Sequence, residues 1–557
     1  MSQNIIKKKN HVNKQMKKFN QVFQLFIIAL AILDTTTPII AQQKSKSNVL
    51  FIAVDDLKPV LGCYGDKLIK TPNIDRLAKM GTVFLNNYCQ QAVCGPTRAS
   101  LLTGMRPDVT KIRDLHTKMR DMNPDIVSIP EYFISQGYTT SGIGKIFHPS
   151  CVDKKYDPQS WSIPFLVAKE SDYSNGLPVQ KHYQSPELKA LIAKEEVVNA
   201  EDGKGKKKSK KEADDEEGAR GPAFESLDLP DDAYDDGVSA KLAAKQIQML
   251  NAAKKPFFMA VGFRKPHLPF VSPKKYWDLY NREDMPVAEF QEHASNSKDF
   301  PYQNSGEVSS YSGVKEYAKY ADKSVNKFGL NIEKQKELIH AYYAAVSYTD
   351  AQVGILLNTL EKLGTLNNTI IVLWGDHGWH LGDHDMWGKH TNYEQATKAP
   401  LIIAAPGLKA GQTKSMTEFV DVFPTLCELS GGKVPTYLDG KSLVPVMKNN
   451  KASVKEYAMS QYPRKMDKAD INKVEDGKGK LMGYSMRTEQ YRYTVWLKNF
   501  TSDQAYSAEK VYTKELYDYV KDPLEKVNVF DDKKYAEIAA DLDKKLVAYF
   551  KSKEVKL

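Results

Sequence analysis

Three short apolar runs constrain the fold more than any other feature of this chain. Asn48–Val54 (NVLFIAV), Pro256–Val261 (PFFMAV) and Thr369–Trp374 (TIIVLW) are continuous and too short for typical helices. Runs of this kind fit strands buried on both faces, as in parallel sheets covered by helices. Between them, segments 71–80, 237–253 and 333–362 have helical spacing and would cover such a sheet. The alternation predicts an α/β fold built on a large, mainly parallel sheet sandwiched by helices. Beyond about residue 445 the texture changes. SMRTEQYRYTVWL (485–497) alternates like an antiparallel strand, and a charged helix is expected over 533–551. A main domain over 46–445 and a smaller C-terminal α+β subdomain over 446–557 follow from that shift.

What each run leads into is chemical. Asn48–Val54 ends in Asp55-Asp56, Thr369–Trp374 in Gly375-Asp376-His377-Gly378, and Pro256–Val261 leads to Lys265-Pro266-His267. Ligand sites in open α/β sheets gather beyond the carboxyl ends of the strands, so these three segments should meet at one edge. Adjacent carboxylates repel unless a cation or proton lies between them. Asp55, Asp56 and Asp376 therefore suggest a hard divalent ion held by oxygen. An Asp pair after a strand is otherwise a cap or a turn, and recurrence at a second strand end favours the ion.

The formal charge of +10 raises the question of nucleic acid. Much of it sits in two segments outside the expected folded body. Residues 1–24 carry Lys7, Lys8, Lys9, Lys14, Lys17 and Lys18 without an acid, followed by the apolar run 25–33 and Ala41. That is the layout of a secretory signal over 1–41, and the apolar run is too short to span a bilayer. The expectation is export, to the periplasm or outside the cell, with no stable membrane insertion and no nucleic-acid partner. The second segment, 194–220, has blocks of both charge signs and few large apolar residues, and reads as a solvated, mobile surface insertion. The five cysteines are few and odd in number, so one of them asks for a separate explanation.

Ala92–Gly104, AVCGPTRASLLTG, supplies it. Cys94, Pro96 and Arg98 stand at the start of an apparent helix, where backbone N–H groups and the helix dipole favour anions. Arg98 could neutralise a neighbouring oxyanion. Taken alone, Cys94 could equally be a small buried hydrophobe or an ordinary thiol nucleophile. Cys-x-Pro-x-Arg followed by Leu-Leu-Thr-Gly resembles the signature of type I sulfatases, in the alkaline phosphatase superfamily. A second stretch, Gly137 to Lys145 (GYTTSGIGK) continuing to Phe147 and His148, resembles the family's second signature. The resemblance runs from about residue 48 to 525 and is closest to the iduronate-2-sulfatase branch, through stretches such as FRKPHLPF, DHGWHLGDHDMWGKHTNYE and SQYPR. Much of the region 275–330 contributes no motif.

The resemblance implies roles. Cys94 would be oxidised before secretion to formylglycine, by a formylglycine-generating enzyme or a radical maturase. Asp55, Asp56, Asp376 and His377 would bind one cation together with an oxygen of the modified residue 94. Calcium is the family expectation, ahead of magnesium, and His377 is an unusual ligand for so hard an ion. The hydrated aldehyde offers one hydroxyl to attack sulfur and a second whose deprotonation ejects sulfate. Lys145, His148, His267 and Lys389 would grip the sulfate and move protons, with Arg98 assisting. His148 is the candidate base, and His267 or Lys389 the acid on the leaving oxygen. Trp379, His380, His384 and His390 would shape the substrate rim.

The implied activity is hydrolysis of sulfate esters on a sulfated carbohydrate, with ulvan the leading candidate among algal and animal glycans. A formylglycine-dependent phosphodiesterase or phosphonate monoester hydrolase is the first rival. A non-catalytic carbohydrate-binding relative is the second.

Overall fold

The structure is a computed structural model that describes residues 6, 9–18, 20, 46–180, 182–201, 221–314, 316, 327–466, 479–498 and 506–554. Residues 9–18, within the expected leader, are helical. The apolar run 25–33 and the expected cleavage region lie outside the described residues. Among the described residues no helix is long and apolar enough to cross a membrane. Residues 47–557 form one compact unit.

Seven strands build its central sheet: β1 (Asn48–Val54), β2 (Thr82–Tyr88), β3 (Thr139–Gly144), β4 (Phe257–Phe263), β5 (Thr369–Gly375), β6 (Leu401–Ala404) and β7 (Gly411–Glu418), in the order β7-β2-β6-β5-β1-β4-β3. Strand β6 runs antiparallel to both neighbours, and the other pairings are parallel. The three apolar runs singled out in the sequence are β5, β1 and β4, adjacent and parallel at the middle of the sheet. Their carboxyl ends therefore open on one edge.

Successive strand residues face opposite sides of a sheet, so each β1 side chain chooses a core. Leu50, Ile52 and Val54 join the core that also holds Ala243 and Ile247 of α2 (Asp235–Ala252) and Leu338, Tyr342 and Val346 of α3 (Ile332–Lys362). Val49, Phe51 and Ala53 join the opposite core, with Ala99, Leu101 and Leu102 of α1 (Cys94–Thr103). Helices thus cover both faces, as the continuous apolar runs require.

At the C-terminal end, β8 (Tyr457–Lys465), β9 (Lys480–Thr488), β10 (Tyr491–Lys498) and β11 (Val511–Asp518) form an antiparallel sheet in that order. One face packs on the helix Ala536–Glu554 through Tyr493, Val495, Leu542 and Leu546. The single strand expected over 485–497 is instead a hairpin, β9 and β10 turning at Glu489-Gln490. Thr488 closes the turn by accepting from Tyr491 N at 2.9 Å on its hydroxyl. A turn without glycine leaves no punctuation in the sequence. The expected insertion begins inside a helix, Pro186–Glu201, and residues 202–220 lie outside the described residues.

Candidate active site

The end of β1 makes a sharp turn. Asp56 has φ +56°, a left-handed conformation that aspartate tolerates better than most residues. Tyr342 of α3 holds the turn: its hydroxyl donates to Asp56 O at 2.7 Å and accepts from Lys58 N at 2.9 Å. Asp56 N in turn donates to Asp376 Oδ1 at 2.9 Å, joining the ends of β1 and β5. Asp376 is anchored by its own backbone, with Thr97 Oγ1 donating to its carbonyl at 2.8 Å. The end of β3 needs a close approach. A Cβ on Gly144 (φ +77°) would lie 2.0 Å from Gly262 O, so glycine there lets Lys145 follow the strand into the site.

Cys94 is the first residue of its helix, and Pro96 the third, inside the first turn as expected. Its Sγ lies 3.4 Å from His377 Nε2. Donor atoms of Asp56, Cys94, Asp376 and His377, all buried, lie within 4.8 Å of one another. Asp55, Cys94 and His267 form a second such group. His377 Nδ1 lies 2.9 Å from Gly378 O, and since a carbonyl only accepts, Nδ1 carries the hydrogen. Nε2 is thereby left facing Asp56 Oδ1 at 3.3 Å and Asp376 Oδ1 at 3.7 Å. A backbone carbonyl on the outer nitrogen is the usual way a ligating imidazole is oriented. The donor set fits a divalent cation, His377 included.

Charge is divided unevenly between the adjacent aspartates. Burial alone would raise the Asp55 carboxyl, but Lys145 and Arg98 outweigh it and hold it well below the usual range. Lys145 Nζ stands 2.6 Å from Asp55 Oδ2, and Arg98 Nη2 2.8 Å from Oδ1. The Asp56 carboxyl is pushed up by burial, against His267 and Lys389. A fully buried carboxylate short of compensation is what a metal ion satisfies. The Cys94 thiol is also pushed well up by burial, so as a plain thiol it is a poor nucleophile.

Arg98 has partners within the protein besides the oxyanion role its position suggested. Its Nε donates to Asp376 Oδ2 at 3.0 Å, Nη2 to Asp55 Oδ1, and Nη1 to the carbonyls of Lys145 and Ile146 at 2.5 and 3.0 Å. The guanidinium is wholly buried and binds the carboxylates of two strands and the chain after a third. It organises the acids in addition to any charge it offers an oxyanion.

The remaining residues surround this centre. Lys389 Nζ donates to Asp56 Oδ1 and Oδ2 at 2.9 and 3.0 Å and sits 5.1 Å over the Trp379 ring. His267 Nε2 lies 3.7 Å from Asp56 Oδ2, and its Nδ1 lies 2.7 Å from Leu268 O. His148 Nδ1 is 3.7 Å from Cys151 Sγ, an atom that stands against Gly95 in the first turn after Cys94. Trp379, His380 and His384 are buried, which corrects their expected place on the rim. His380 pairs with Thr391 Oγ1 at 2.9 Å, and His384 stacks on Tyr393 at 5.0 Å. These side chains pack beneath the loop that carries Lys389, and of the group only His390 is partly exposed. One acid beside the site came from the stretch without a motif: Glu307, with Oε2 3.5 Å from Lys389 Nζ.

The family model described as Sulfatase matches residues 47–432, and that described as N-sulphoglucosamine sulphohydrolase, C-terminal, matches 382–552. The chain belongs to the sulfatase family. It is a type I sulfatase and a sulfuric ester hydrolase, close to the iduronate-2-sulfatase branch. Iduronate 2-sulfatase of Homo sapiens is 33% identical over 542 residues, covering 87% of this chain and 91% of that one. Among solved structures, a protein in complex with its substrate D-glucosamine-2-N,6-O-disulfate aligns with TM-score 0.62 at 22% identity, over 92% of this chain and 98% of the other. The phosphonate monoester hydrolase of Agrobacterium radiobacter aligns with TM-score 0.63 at 23% identity, over 91% and 96%. At these identities the two structures speak for the sulfatase fold, which matches the predicted large sheet with a smaller C-terminal one.

Proposed function

We propose that this sulfatase removes sulfate from a sulfated carbohydrate using formylglycine at position 94 and one calcium ion. The observation that carries the reading is the convergence of Asp56, Cys94, Asp376 and His377, with Lys145, His267 and Lys389 around them. Asp55, Asp56, Asp376 and His377 would hold the ion with an oxygen of residue 94. Bound there, it would polarise that oxygen and those of the sulfate.

The chain's own groups supply the rest. Cys94 Sγ stands where the oxygens of the modified residue would be. One hydroxyl of the hydrated aldehyde would lose its proton to water and attack sulfur, and the S–O bond to the sugar would break as the sugar oxygen leaves. His267 or Lys389 hands that oxygen its proton, while Lys145 holds the sulfate oxygens. His148 then takes the proton of the second hydroxyl. The C–O bond to sulfate breaks, and the aldehyde returns.

Residues 1–41 would direct export to the periplasm or beyond. The catalytic domain would span 46–445 and the C-terminal subdomain 446–557. A formylglycine-generating enzyme or a radical maturase would act on Cys94 beforehand. Ulvan oligosaccharides head the substrate candidates, followed by heparin-like and dermatan-like glycans and then carrageenan or fucoidan fragments. The test is free sulfate released from such a panel by protein co-expressed with a maturase, with Cys94→Ala as control. Release that vanishes in the control supports the reading. No release, with formylglycine verified by mass, overturns the substrate list, and release of the alcohol from phosphonate monoesters or phosphodiesters would replace it.

A further inference from the structure

Glu307 is the only acid in residues 301–314, a stretch that matched no motif, yet its carboxylate faces two of the proposed proton carriers. Oε1 lies 3.4 Å from His267 Nε2 and Oε2 3.5 Å from Lys389 Nζ, with the side chain 12% exposed. One oxygen is turned to each cationic partner, so the carboxylate bridges them.

The loop is tied to the segment that carries Lys389. Ser305 Oγ accepts from Trp387 N at 3.0 Å, and Gln303 Nε2 donates to Trp387 O at 2.9 Å. Downstream, Val308 and Val314 are sunk in the core, and Ser312 N donates to Gly221 O at 3.0 Å. Glu307 thus hangs from a loop pinned on both sides, at a fixed offset from a lysine two residues beyond Trp387. Such doubly supported geometry is what holds a charged side chain to one rotamer.

His267 and Lys389 stand between two carboxylates. Asp56 is on one side, at 3.7 Å from His267 and 2.9 Å from Lys389, and Glu307 is on the other. Asp56 belongs to the buried donor cluster, and a cation there would draw on its oxygens. Glu307 is then a carboxylate outside that cluster that faces both basic groups. A second metal ion shared by Asp56, His267 and Glu307 is disfavoured, because the Lys389 ammonium already lies between the two carboxylates.

We propose that Glu307 is a positioning residue that fixes His267 and Lys389 toward the departing sugar oxygen. It acts through those two side chains. The proposal rests on the sulfatase reading given above, and its test separates the two.

Glu307→Gln keeps the shape and removes the charge, and Glu307→Asp keeps the charge on a shorter arm. Each matured variant is compared with wild type on the sugar sulfate that wild type desulfates, with inorganic sulfate as competitive inhibitor. Glu307→Gln is expected to lower kcat by about 10- to 100-fold, part of what a positioned acid contributes. Inorganic sulfate should bind as well or more tightly, because a negative charge has left the site. Glu307→Asp should recover part of kcat, and should show the same pattern if the glutamine variant fails to fold. An unchanged kcat, or a loss matched by an equal weakening of sulfate, would overturn the positioning role while leaving the enzyme a sulfatase. No sulfate released by wild type from any sugar would overturn both.

Discussion

Lys389 Nζ is bound by both oxygens of Asp56, at 2.9 and 3.0 Å, so an ammonium stands against the oxygens of a proposed metal ligand. A cation on Asp56 and the charge of Lys389 repel each other across a buried site. The same lysine is then available for the sulfate or the leaving oxygen.

Lys389→Met is therefore expected to tighten calcium binding while lowering turnover. About a tenfold gain in affinity corresponds to 1.4 kcal/mol, a modest share of the repulsion between close charges at a protein site. Titration calorimetry with calcium on wild type and variant checks the first part, and sulfate release the second. Asp56→Asn should lose both binding and activity. A lysine variant that binds calcium more weakly would show that Lys389 supports the ion.

Cys94 is 2% exposed, and burial keeps its thiol protonated. Activity should therefore depend on conversion of the residue. Protein made without a maturase should be inactive, and matured protein should carry an aldehyde oxygen in place of the Cys94 sulfur, read by peptide mass. Cys94→Ala should lower kcat by about 10⁴-fold or more, the scale on which removing a nucleophile acts. Full activity from unconverted thiol would end the formylglycine reading.

Arg98 joins Asp55 and Asp376 at 2.8 and 3.0 Å with no exposure to water. Arg98→Ala leaves the buried Asp376 carboxylate without its guanidinium partner and Asp55 with Lys145 alone, at a cost of about 3–5 kcal/mol, with calcium binding lost as well. Arg98→Lys should fail too, because a single ammonium cannot reach both acids and the two carbonyls at once. Urea denaturation followed by fluorescence measures the first cost. A lysine variant with wild-type stability and calcium affinity would show that only its charge matters.

The site was legible in the sequence to the extent that local patterns carried it. Each acid or imidazole after an apolar run sits where the end of a parallel strand puts it, and the two signature stretches placed Cys94 and Lys145. Glu307 was not legible, since its place comes from a loop pinned by Trp387, far along the chain, and anchored in the core by Val308 and Val314. Nor was the burial of His380 and His384, whose partners Thr391 and Tyr393 lie across a compact turn. The main sheet declared itself through continuous apolar runs. The β9–β10 hairpin did not, because Thr488 does the work that glycine usually announces.

Glu418 joins the main sheet to the C-terminal one. It ends β7, and its Oε1 accepts from Met459 N of β8 at 2.8 Å. Its Oε2 pairs with Arg106 Nη2 at 2.7 Å and Lys455 Nζ at 2.6 Å. Burial alone would raise this carboxyl, but Arg106 and Lys455 outweigh it and hold it far below the ordinary glutamate range. The folded-state pKa is thus depressed relative to the unfolded chain. The stability it contributes is fully present above the unfolded value of about 4.5 and is lost as pH falls from there toward the folded pKa. Glu418→Gln should cost about 3–5 kcal/mol near pH 7, because Arg106 keeps no equivalent partner at that position. Its Tm should also fall less steeply than that of wild type between pH 5 and pH 3, since the variant has no proton to take up there. Differential scanning calorimetry of both proteins across that range checks the slope as well as the offset. Parallel pH curves would place the acid sensitivity on other ion-paired acids, such as Glu394 between Arg487 and Arg492.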